Sequence, residues 1–177
     1  MSRVHSNPFN PTLRAWLHAE GSLTARLRDH GAVEVRVLRQ GAQRLWPAEQ
    51  DDLNCLSGHV REVALLLDGA PVVWARSAVS HHALQGPWKA LANLGNRPLA
   101  ELLFRDKSIE RNRLKPHHFP RHGLMECRLR NSWTELHAGM PAGLLPRWAR
   151  SSVFWHQGQP LRVLEAFAPW IVRLKVG

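Results

Sequence analysis

A chain of 177 residues in which 44% are apolar, eight of them Trp, has material for one sizeable core and is read as a single domain. The formal charge of +10 calls for an anionic partner, yet Lys and Arg are dispersed and no zinc-finger or RNA-binding aromatic signature appears, so an acidic small molecule suits that charge without nucleic acid. Cys55 and Cys127 stand too far apart for a CxxC site or a disulfide framework. No apolar run approaches membrane-spanning length and residues 1–11 carry no apolar leader, so the expectation is a cytoplasmic protein that inserts into no membrane.

Asn10 before Pro11 reads as the N-cap of a short helix reaching Glu20, with Leu13, Trp16 and Leu17 as its apolar stripe. Gly21-Ser22 breaks it. A second helix is expected over 23–30, closed by a left-handed Gly31. Val33, Val35 and Val37 alternate with charged residues in a half-buried strand that should end at Gly41. The stretch 42–58 is polar and irregular, with Trp46-Pro47 as its anchor.

Residues 60–67 and 70–79 flank Asp68-Gly69, a strong two-residue hairpin signal. That turn sets Leu67 opposite Ala70, Leu65 opposite Val72, Val63 opposite Trp74 and Arg61 opposite Arg76, all on one face. Two guanidinium groups would then end an apolar face side by side, and Arg cannot shed its proton to relieve the repulsion. Either they reach water or acidic side chains, or they hold a carboxylate or phosphate ligand.

Ser80-His81-His82 reads as a surface turn, because adjacent imidazoles diverge and no carboxylate or Cys is suitably spaced for a metal. Gly86-Pro87 opens a helix through Leu94, with Leu84, Trp88 and Leu91 on one face and Gly95 as its stop. A second apolar turn covers 99–104. From 105 to 150 there are ten Lys or Arg against four Asp or Glu, with weak periodicity. His117, His118 and His122 read there as solvated loop, and 126–136 is compatible with a strand or a helix. So long a connection suits a lid or an insertion.

Residues 151–156 and 161–169 flank Gln157-Gly158-Gln159-Pro160 as another hairpin. Leu161, Val163, Glu165 and Phe167 share a face, so one carboxylate sits among apolar neighbours. Its cross-strand partner is Arg150 if Gln157-Gly158 is the turn, or Ser152 if Gly158-Gln159 is. Such a carboxylate either pairs with a cation or serves as a general acid or hydrogen-bonding group in a closed cavity.

The ordered segments WLHAEGSLTARL, VRVLRQG, REVALLLDGAPVVWARSAV, LQGPWKALANLGNRPLAELLF and WARSSVFWHQGQPLRVLEAFAP together resemble the chorismate pyruvate-lyase family over about three quarters of the chain. The resemblance implies a single α+β domain, an antiparallel sheet of about six strands with helices enclosing a small cavity under helical flaps. It implies elimination of pyruvate from chorismate to give 4-hydroxybenzoate for ubiquinone biosynthesis, by a monomer without metal or other cofactor. By matching motifs, Arg61 and Glu165 fall on ligand-binding and catalytic positions. Leu23 and Leu99 fall on positions that contact the ligand mainly through the backbone, and Leu23 stands where the best-known members have Met. Arg76 also matches an arginine of the pattern and is expected at the ligand. The segment 105–148 departs from the pattern, being longer and more basic than in compact members. Two other functions are weighed: the same fold type resembles the effector-binding module of some transcriptional regulators, which would bind a small acid without converting it, and the basic composition suits a nucleic-acid-binding protein.

Overall fold

In the computed structural model, which describes residues 10–136 and 145–176, an α+β fold is built on one antiparallel sheet. Its strands are β1 (Val33–Arg44), β2 (Ser57–Leu67), β3 (Ala70–Ser80), β4 (Glu110–Arg111), β5 (Lys115–His118), β6 (Trp148–His156) and β7 (Gln159–Phe167). Across the sheet the order is β1-β2-β3-β7-β6, and both β4 and β5 pair with the outer edge of β6. The first hairpin closes on the expected Asp68-Gly69, and the second on Gln157-Gly158, one of the two dipeptides left open by the sequence. Asp68 and Gly69 have φ of 49° and 82°, and Gln157 and Gly158 have 49° and 73°, the left-handed pair that a type I′ turn requires. Gln157-Gly158 is therefore the second turn, and Arg150 lies across from Glu165.

One face of the sheet is covered by α1 (Pro11–His18) and α2 (Leu23–Arg28) at one end. At the other end it is covered by a segment containing α4 (His81–Gln85), a 3₁₀ turn at Lys89–Asn93 and α5 (Leu99–Leu103). Asn10 caps α1 as expected, its Oδ1 accepting from the N–H of Thr12 and Leu13. The opposite face is covered by α3 (Pro47–Leu53) and α6 (Leu124–Leu136), which pack on Trp74, Ala78, Leu164 and Ala166. Four Trp side chains, 16, 74, 88 and 133, are fully buried between these layers. No helix among the described residues is long and apolar enough to cross a membrane, and none of their His, Cys, Asp and Glu form a group suited to a metal ion.

Several expectations are corrected. The second helix ends at Arg28, and Gly31 is not left-handed; it is small because the Asp68 carboxylate packs on it, where a Cβ would lie 2.3 Å from Oδ2. β1 continues through Gly41 to Arg44, past a bulge between Val37 and Arg39. The stretch 42–58 contains α3, whose Glu49 carboxylate accepts the N–H of Trp46 at 2.8 Å. His81 and His82 begin α4, and Ser80 Oγ caps it through the Ala83 N–H. His117 and His118 belong to β5, where His117 bonds Ser151 Oγ and the His118 ring lies 4.7 Å from that of Trp148. Residues 126–136 are helical. The first nine residues, on which most of the leader reading rests, and residues 137–144 of the basic segment lie outside the described residues.

The register of the β2–β3 hairpin carries the largest correction. Leu67 pairs with Ala70 and Leu66 with Pro71, but Leu65 pairs with Val73, so Val72 is one residue extra. Pro71 has no N–H to give to the ladder, and a proline inside a sheet belongs at an edge or a bulge. Beyond this bulge the two faces of β3 exchange. Arg61 pairs with Ser77, while Arg76 pairs with Glu62 and points to the other side.

Candidate active site

Between the packing of α1 and α2 and that of α4 and α5 the sheet face is left open, and a cavity of about 610 Å³, its mouth included, fills the gap. Its floor is the sheet, with Val35, Val63, Leu65, Ala75 and Val163, and its roof is the starts of α2 and α5. Leu23 and Leu99 are the first residues of these helices and both line the cavity. An N–H at that position has no acceptor within its own helix.

Arg61 enters from β2. It is 2% exposed, and its Nη2 donates to the carbonyls of Gly95 at 2.8 Å and Arg97 at 3.1 Å, which fastens the segment before α5 to the sheet. Its buried Nε has no hydrogen-bond partner among the described residues, and burial pushes the guanidinium down to about 10. A buried, unmatched donor on a cation is what an anionic ligand would satisfy.

Glu165 enters from β7, two strand spacings from Arg61, about 10 Å, and one side-chain repeat further along, about 7 Å. Arg150 Nε donates to its Oε2 at 2.6 Å, and Arg150 Nη1 donates to the carbonyls of Trp16 at 2.9 Å and Ala19 at 2.6 Å. The carboxylate is thus hydrogen-bonded as one of the two sequence alternatives required, and its cation is tied to the end of α1.

Arg76 lies behind the sheet, away from the cavity. Its Nε and Nη2 meet the two oxygens of Glu49 at 2.6 and 2.9 Å, and its Nη1 meets Glu62 at 2.6 Å. The Trp46 ring lies 3.9 Å from its guanidinium carbon and stacks on Trp74. The expected pair of facing arginines is therefore replaced by one arginine on each side.

The second cation of the cavity is one that sequence reasoning missed. Arg111, on the two-residue β4, lines the cavity beside Phe154 and donates from Nε to Ser152 Oγ at 3.1 Å. Burial lowers its pKa, and the nearby Glu165 carboxylate works against that. A strand this short inside a basic stretch leaves no periodicity to detect; pairing with β6 is what aims the side chain.

The family model described as chorismate lyase matches residues 5–174 of the chain. The chain belongs to the chorismate lyase family. Curated proteins named probable chorismate pyruvate-lyase are similar to this family member along most of their length. The one from Albidiferax ferrireducens is 39% identical, covering 89% of this chain and 83% of its own, and the one from an Azoarcus species is 41% identical, covering 92% and 86%. Among solved structures, PhnF from Mycobacterium smegmatis matches with a TM-score of 0.56 at 14% identity, covering 85% of this chain and 64% of that one. The effector domain of PhnF matches at 0.54 with 11% identity, over 84% and 88%. At such identity the likeness is one of fold: this chorismate lyase family member shares its open sheet with the PhnF effector domain.

Proposed function

We propose that this cavity binds chorismate and releases pyruvate from it, leaving 4-hydroxybenzoate. The observation that carries this is Arg61, buried with an unpartnered Nε and facing a hydrogen-bonded carboxylate across an apolar space. Arg61 takes the ring carboxylate, helped by the backbone at Leu23 and Leu99, and Glu165 sits toward the opposite end of the ring. In the reaction the ether bond to the enolpyruvyl oxygen breaks and its electron pair leaves with that oxygen. The ring carbon bearing the hydroxyl gives up a proton, and the methylene of the departing group takes one to become the methyl of pyruvate. Atoms and electrons balance without a redox partner, and aromatisation supplies the driving force. Glu165 assists the proton movement, while the walls hold the reacting groups in geometry and exclude water. The same proposal places a cofactor-independent monomer in the cytoplasm, with its product entering ubiquinone biosynthesis.

The likeness to the PhnF effector domain favours one other function, binding a small acid without converting it. Incubating purified protein with chorismate separates the two. A lyase yields 4-hydroxybenzoate and pyruvate in equal amounts; a binder yields neither. Arg61→Ala and Glu165→Ala should each lower kcat/KM by roughly 100-fold or more. Near-normal turnover in both variants would refute the assignment.

A further inference from the structure

Chorismate carries two carboxylates, one on the ring and one on the enolpyruvyl side chain. Among the described residues Arg61, Arg111 and Glu165 line the cavity, Arg150 stands against it through Glu165, and Glu20 lies within electrostatic reach of Arg111. Arg150 and Glu165 are closed on each other at 2.6 Å and together contribute no net charge. Arg61 and Arg111 form no ion pair among the described residues. The sheet order sets them on β2 and β4, four strand spacings or about 19 Å apart at the backbone, with both side chains lining the same cavity. Two long cationic side chains thus close on it from opposite ends, with Glu165 between them.

We propose that Arg111 anchors the carboxylate of the enolpyruvyl side chain, so that the two free cations match a dianion end for end. This rests on the lyase function proposed above. Ser152 Oγ takes the Nε proton of Arg111, and Phe154 lies beside the guanidinium with its ring centre 5.1 Å from the central carbon. Both fix the plane of the fork and leave the terminal nitrogens for a carboxylate, which Arg can grip with two parallel hydrogen bonds. The position also bears on rate. When the ether bond breaks, negative charge grows on the departing enolpyruvyl group, at the Arg111 end, so the contact strengthens as the reaction proceeds. The ring product has lost that group and makes no use of Arg111. Substrate and product therefore differ in whether they need this side chain, whereas both need Arg61.

The test compares wild type, Arg111→Gln, Arg111→Lys and Arg61→Gln, with thermal melting of each as the folding control. Turnover of chorismate, equilibrium binding of chorismate and equilibrium binding of 4-hydroxybenzoate are measured. Arg111→Gln is expected to lose roughly 30-fold or more in kcat/KM and in chorismate affinity, and about threefold or less in 4-hydroxybenzoate affinity. Arg111→Lys should recover part of the loss, and Arg61→Gln should weaken both ligands. If Arg111→Gln weakens the product as much as chorismate, or changes kcat/KM less than threefold, Arg111 does not hold the side chain. Should Arg111→Gln fail to fold, Arg111→Lys decides by the same split. If wild type binds chorismate without turning it over, the lyase function falls, and the split in affinities still decides on Arg111. No binding of chorismate at all overturns both.

Discussion

Among the described residues three arginines are 2% exposed or less, and what surrounds each shows what it is for. Arg76 and Arg150 are 2% and 1% exposed and are closed on carboxylates. Arg61 is as deeply buried, yet it meets only two carbonyls and leaves Nε orphaned. Its folded-state value, pushed down to about 10 by burial, lies below that of an ordinary guanidinium. The unfolded chain then binds the proton more tightly than the folded one, so the charge opposes folding at neutral pH, and relief comes only as pH rises above about 10. Replacing Arg61 with Met should accordingly leave unfolding free energy in urea within about 1 kcal/mol of wild type or raise it, since Gly95 and Arg97 are exposed and their carbonyls can turn to water. Arg76→Met strands Glu49 and Glu62 behind the sheet and should cost about 3–5 kcal/mol. Equal losses in the two variants would contradict this division between a cation kept for a ligand and a cation kept for the fold.

At the scale of elements, a turn couples to a helix end. Asp68 Oδ1 accepts the Ala32 N–H at 2.8 Å while its carboxylate fills the space beside Gly31. Gly31→Ala should therefore destabilise by about 1–3 kcal/mol. The penalty should shrink in an Asp68→Gly background, where the obstructing side chain is gone, and a double-mutant cycle in urea reads the difference. Both hairpins were legible in sequence, the first down to its turn, because Asp68-Gly69 has a strict backbone requirement, whereas the register that sets Arg150 or Ser152 across from Glu165 was decided only by the structure. The face of Arg76 was not legible, since counting in twos from Asp68-Gly69 assumes an unbroken ladder. Pro71 carried the warning, being a residue that cannot donate to that ladder. Helix α3 escaped notice because its seven residues include three acids and show no apolar stripe, although Glu49 three residues after Trp46 was a usable cap signal. Arg111 left no local trace: only the pairing of β4 with β6 brings it to the cavity.

For the whole molecule, the sheet separates two environments. Behind it, buried charges are matched by Glu49, Glu62 and Asp52, the last paired to Arg162 at 2.7 Å. In front, an apolar cavity holds cations short of acceptors, so a carboxylate ligand should stabilise the fold. At a concentration one hundred times its dissociation constant, 4-hydroxybenzoate should add about 2.7 kcal/mol, a rise in Tm of roughly 5–10 °C for a chain of this size. Arg61→Gln should abolish most of that rise in a thermal-shift measurement. The single inserted residue at Val72 shifts the number at which each later side chain of β3 falls, not the environment it enters. A strand has a parity, odd or even, and by count this one is flipped once. Deleting Val72 would remove the extra residue and leave every later pair as it is, with Leu65 still meeting Val73, Glu62 still meeting Arg76 and Arg61 still meeting Ser77. The chain that results should still melt cooperatively and retain 4-hydroxybenzoate in a thermal-shift measurement, because the parity of every later side chain is kept.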